Sequence, residues 1–133
     1  MSEHLGTCLC GTVTFTIQGD FDCFYLCHCR HCQKDTGSAH GANLFSQSAQ
    51  LTWLSGAQAV TSFTLNGTRH SKSFCQHCGS ALPNTQAEGM LVVPAGCLDT
   101  PVALLPSAHL FCASKAAWET DLDRVPCYEK LPQ

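Results

Sequence analysis

The spacing of seven cysteines constrains this chain more than any other feature. They stand in three clusters, Cys8/Cys10, Cys27/Cys29/Cys32 and Cys75/Cys78, among eleven cysteines in 133 residues. The odd total, the absence of an export signal in MSEHLGTCLCG and a length that suits one buried core all argue against a disulfide scaffold. In a reducing, cytoplasmic setting, clustered cysteines point to metal. Cys75-Gln76-His77-Cys78-Gly79 is a Cys-x-x-Cys-Gly knuckle, and Cys8-Leu9-Cys10-Gly11 is a second two-ligand turn. Together they supply the four thiolates of a closed tetrahedral zinc site. The glycine after each pair frees the backbone to take positive φ and turn its amides toward the sulfurs. A redox dithiol at Cys75/Cys78 would need a surrounding βαβ pattern, which the sequence lacks.

Cys27-His28-Cys29-Arg30-His31-Cys32 is different in kind, with three thiols in six residues. Three protein ligands with a fourth position open are the mark of a catalytic zinc. The alternative is closure by a fourth ligand from His28, His31, Cys23, Cys112 or Cys127. His28, flanked by two ligands, is expected to point away from the metal they share. Three thiolates leave such a zinc with a net charge of about −1, a weak Lewis acid suited to thiol chemistry rather than hydrolysis.

The rest of the chain gives the frame. Only 13% of residues are charged, the formal net charge is −3 and no Lys/Arg run occurs, which argues against a nucleic-acid protein. Low charge also leaves room for a homodimer interface. No stretch approaches the ~18–20 apolar residues of a membrane span. Thr12–Gln18 alternates Val13, Phe15 and Ile17 with polar partners, as a half-buried strand does. A second strand is expected through Phe21, Cys23 and Tyr25, and others at Gly41–Phe45, Leu51–Leu54, Ala59–Leu65, Arg69–Phe74, Met90–Pro94 and His109–Ala113. Asn66-Gly67 signals a hairpin. Cys27–Gly37 reads as a loop or one helical turn around metal, and a short helical turn is expected between Ala116 and Pro126. These elements predict a single, mainly β domain over residues 1–133, an antiparallel sandwich or barrel-like sheet with little helix.

Gly6-Thr7-Cys8-Leu9-Cys10-Gly11-Thr12-Val13 and Cys27-His28-Cys29-Arg30-His31-Cys32-Gln33-Lys34-Asp35-Thr36-Gly37 resemble the glutathione-dependent formaldehyde-activating enzyme (GFA) family, which includes centromere protein V-like proteins. The resemblance continues through Phe74–Ser80, Ala95–Asp99 and His109-Leu110-Phe111, then Lys115 and Trp118. It implies an antiparallel β-tent fold with two zinc ions. One would be structural, on Cys8, Cys10, Cys75 and Cys78; the other catalytic, on Cys27, Cys29 and Cys32. The implied activity is that of a carbon–sulfur lyase joining glutathione and formaldehyde, or a related small aldehyde. Glutathione would be the co-substrate, its thiol entering the open zinc position. A zinc-stabilised binding module or a glutathione carrier is the alternative.

Glutathione carries two carboxylates, so cations matter. Arg30 and Lys34 are the nearest in sequence to the reactive cysteines, with Arg69, Lys72 and Lys115 behind them. His109 reads as a general acid or a satisfied core histidine, the core role being favoured, Trp118 as core rather than a substrate platform, and Cys23, Cys97, Cys112 and Cys127 as small packing residues.

Overall fold

A computed structural model describes residues 2–132. Eleven strands and one α-helix form three sheets. The first sheet has the order β1 (Glu3–Thr7), β2 (Thr14–Gln18), β5 (Gln50–Ser55). The second has five strands, in the order β11 (Ala108–Leu110), β3 (Cys23–Cys27), β4 (Gly41–Ser46), β10 (Leu91–Pro94), β9 (Asn84–Thr85). The third pairs β6 (Val60–Thr64), β7 (Ser71–Cys75) and β8 (Ala81–Leu82). Every pairing is antiparallel except β11 with β3, which is parallel. The chain is thus mainly β as expected, but it divides into three short sheets rather than one sandwich or barrel.

The core follows the alternation read from the sequence. Val13, Phe15 and Ile17 are fully buried, joined by Leu44, Leu82, Leu91 and Val93. Gly6 lies opposite Phe15 in the β1–β2 register. A Cβ at Gly6 would stand 2.1 Å from Phe15 Cζ, inside a ring that has no space to retreat. Gly6→Ala is therefore expected to cost about 3 kcal/mol or more, read as a fall in the urea midpoint at unchanged slope. A loss below ~0.5 kcal/mol would mean the two strands separate freely.

Asn66-Gly67 does sit in the β6–β7 hairpin, with Gly67 at φ 76 inside a loop closed by Leu65 N–H to His70 O at 2.9 Å. Cys27–Gly37 departs from expectation: α1 occupies Arg30–Thr36, about two turns. Its periodicity is hidden because Gln33 is its one buried residue. Capping holds it instead. The Cys29 sulfur accepts from Cys32 N–H at the start, and Gly37, at φ 65, closes the end on Gln33 O. The C-terminal turn falls at Leu122–Arg124 and is a 3-10 turn. Trp118 is 63% exposed rather than core. Cys112 and Cys127 are also exposed, contrary to a packing role, whereas Cys23 and Cys97 are half-buried. No helix among the described residues is long and apolar enough to cross a membrane.

Candidate metal centres and the cleft between them

Cys8 and Cys10 lie in the turn that leaves β1; Cys75 ends β7, and Cys78 follows in the next turn. Their four sulfurs lie within 4.8 Å of one another. Cys8 Sγ is 3.6 Å from Cys10 Sγ, and Cys10 Sγ is 3.9 Å from Cys75 Sγ. A tetrahedron of sulfurs at ~2.3 Å from a zinc ion has edges of about 3.8 Å, and both of these separations lie close to that. Gly11 and Gly79 take φ 84 and 76, the positive values expected of both turns. Val13 N–H points at Cys8 Sγ at 3.2 Å, and Leu9 N–H bonds Ser80 Oγ at 2.8 Å, tying one turn to the other. The Ser80 hydroxyl and amide hold the Cys78 thiol down at about 5, in the thiolate form a metal takes. The Thr12 hydroxyl lowers Cys10 likewise, while burial raises Cys75.

Cys27, Cys29 and Cys32 form the second cluster, again with all sulfurs within 4.8 Å of one another. No fourth Cys, His, Asp or Glu among the described residues joins that set. Cys27 ends β3, Cys29 is the N-cap of α1, and Cys32 lies in its first turn. Burial raises Cys27 and, more strongly, Cys32, whose two neighbouring thiols add to the effect. Burial also pushes Cys29 upward, but the Cys32 amide and the thiols of Cys32 and Cys27 outweigh it, leaving Cys29 lowered.

A cleft opens from this cluster. Its floor is the face of the second sheet that carries Cys27, Gly41, Asn43, Phe45, Val92 and Asn84. Gly41 leaves room beside Cys32, whose Sγ is 3.6 Å from where a Cβ would stand. The opposite wall comes from Arg69–Ser73, Ala81 and Leu82, and Asp35 and Thr36 of α1 close one side. Cys32, Asp35 and Thr36 are three and four positions apart and so share a helix face. Arg30 and Lys34 do not line this cleft: Arg30 donates to Gln33 Oε1 at 2.9 Å, and Lys34 borders a separate depression with Phe63 and Leu65. The cations of the cleft are Arg69 and Lys72. Lys115 lies outside the cleft.

His28, between two of the cluster's cysteines, points away from the three sulfurs as expected. It is fully buried, with Nδ1 2.9 Å from Glu119 Oε1 and Nε2 2.8 Å from His109 Nδ1. Gln33 Nε2 ties the His28 carbonyl (2.7 Å) to that of Ser114 (2.9 Å). His109 is thus at the exposed end of this chain of rings and is no core residue. Sequence reasoning missed Glu119, which lies 91 positions from His28 and carries no local signal. Glu119→Ala strips a buried ring of its partner and is expected to lower stability by about 1–3 kcal/mol, with Glu119→Gln retaining part of it. Chemical denaturation of the two variants checks this; equal stability of Glu119→Ala and the parent would refute it.

The fold and sites define a small β-rich protein with two thiol clusters of metal-binding geometry, one closed by four cysteines and one holding three at the end of a cleft. The model of the glutathione-dependent formaldehyde-activating enzyme family matches residues 3–114, and the chain belongs to that family. Its fold is similar to the crystal structure of a Rhodobacter sphaeroides protein, at 20% identity and a TM-score of 0.57, covering 79% of this chain and 98% of that one.

Proposed function

We propose that this protein is a zinc-dependent carbon–sulfur lyase-type enzyme that makes or breaks the adduct of a thiol with a small aldehyde, glutathione with formaldehyde being the first pair to test. The observation that carries the reading is a three-thiol cluster that no fourth Cys, His, Asp or Glu among the described residues joins, at the end of an open cleft. A binding module would be better served by a closed site. Cys27, Cys29 and Cys32 would hold the reactive zinc, and Cys8, Cys10, Cys75 and Cys78 the structural one, within a β-tent frame. When bound, the reactive zinc supplies stabilisation of an incoming thiol as thiolate.

The chain's own residues do the positioning. The sheet floor and the β7–β8 wall would hold two reactants in a fixed geometry, so a bimolecular step becomes local. A carboxylate-bearing thiol laid along the cleft meets Arg69, 86% exposed at its side chain and only loosely engaged by Glu88 at 3.4 Å, more readily than Lys72, which is held by Asp35 at 2.7 Å. Family membership supports the thiol and the aldehyde as reactants.

Metal analysis with a zinc-edge count of sulfur ligands, followed by exchange NMR of glutathione with formaldehyde, tests the reading. Two zinc ions per chain and adduct exchange above the uncatalysed rate are expected. Two zinc ions without acceleration would leave a carrier or binding module.

A further inference from the structure

Asp35 and His70 form a polar pair beside the three-thiol cluster that neither the metal clusters nor the sheets require. Asp35 comes one turn after Cys32 on α1, and His70 lies in the loop that leads into β7. The Asp35 carboxylate has both oxygens engaged: Oδ2 is 2.8 Å from His70 Nε2 and Oδ1 is 2.7 Å from Lys72 Nζ. Lys72 Nζ also donates to the Asp35 carbonyl at 3.2 Å. Lys72 therefore fixes the carboxylate in place, and the carboxylate is set to accept the Nε2–H of His70. A neutral ring that donates from Nε2 carries its lone pair on Nδ1, and Nδ1 has no hydrogen-bond partner among the described residues. Both side chains are largely shielded, at 21% and 18% exposure, yet both line the cleft with Cys27 and Cys32. The other charged or titratable groups around the ring are His31, whose ring centroid is 5.6 Å away, and Lys34 and Arg69 at the margins of the two depressions His70 borders.

A base held by a carboxylate, in a cleft beside a thiol site, is the arrangement that general acid–base catalysis uses. We propose that His70, oriented by Asp35, is the proton carrier of the lyase reaction; this rests on the reading of the cleft given above. In the cleavage direction, His70 Nδ1 takes the hydroxyl proton of the thiol–aldehyde adduct. The O–H electron pair becomes the second C–O bond of the aldehyde, and the C–S bond breaks with its pair on sulfur. The proton then passes from His70 to that sulfur, giving the free thiol. Synthesis runs the same steps in reverse. Atoms, charge and electrons balance with no co-reactant. Asp35 is a positioning residue, since it reaches the substrate only through the ring.

His70→Gln and Asp35→Asn test the assignment, each compared with the parent protein in zinc content, folding and adduct exchange. His70→Gln is expected to keep zinc content and thermal midpoint while kcat for exchange falls about 10²–10⁴-fold, with KM for the thiol within about twofold. Asp35→Asn loses a smaller part of kcat. The second readout is independent of activity: long-range ¹H–¹⁵N spectra of the imidazoles should show His70 as the Nε2–H tautomer in the parent and a tautomer mixture in Asp35→Asn. An active parent with an equally active, folded His70→Gln overturns the proposal and leaves the lyase reading standing. A parent that accelerates nothing removes the lyase reading and the proposal with it. An Nδ1–H tautomer in the parent overturns the proposal even where His70→Gln is slow or fails to fold.

Discussion

Removing metal from the four-cysteine cluster is expected to unfold the protein outright. The cluster draws ligands from two turns distant in sequence, one leaving β1 and one leaving β7, and so fastens the first sheet to the third. Cys8 and Cys75 are buried at 3% and 0% exposure, so loss of the ion would open the cluster into the core itself. Structural zinc contributes on the order of 10–16 kcal/mol in small domains, as much as the entire stability of a typical fold of about 5–15 kcal/mol. A strong chelator should therefore abolish the far-ultraviolet strand signal and the thermal transition, and added zinc should restore both. Cys75→Ser should behave as the chelated protein does, because a neutral hydroxyl would replace a buried sulfur of the cluster. Metal-free protein that keeps its thermal midpoint within a degree or two would show that the cluster is not what holds the sheets.

How far the sequence foretold this arrangement depends on how local each signal was. Two cysteines two or three positions apart, followed by glycine, are a complete turn, so both two-cysteine turns of the four-thiol cluster were legible residue by residue. Strands with clean alternation, such as β2, were legible for the same reason. Helix α1 was not, because its apolar stripe is missing and a thiol serves as its cap. Missing the helix also left open which cations line the cleft. Along a loop, Arg30 and Lys34 are simply the nearest positive charges to the reactive cysteines. On a helix they lie one turn apart and neither lines the cleft, while Cys32, Asp35 and Thr36 do. The pairs His28–Glu119 and Asp35–His70 span 91 and 35 positions. Only the folded chain brings them together, and no spacing rule announces either.

Cys29→Ser is expected to silence the protein while leaving it folded, and the reason lies in the double duty of that side chain. Its sulfur belongs to the three-thiol cluster, and it also caps α1 by accepting from Cys32 N–H at 3.3 Å. Serine is among the best N-caps, so the hydroxyl takes over the second duty and stability should change by no more than about 1 kcal/mol. It cannot take over the first. A serine hydroxyl stays protonated where the Cys29 thiol is held toward its thiolate by the Cys32 amide and the neighbouring thiols. Zinc content should drop from two ions per chain to one, and adduct exchange should fall to the uncatalysed rate, with the thermal transition kept. Cys29→Ala loses the cap as well, so it should match the serine variant in activity but sit about 1 kcal/mol below it in stability. A serine variant that still holds two ions, or still accelerates exchange, would place the reactive metal somewhere other than Cys27, Cys29 and Cys32.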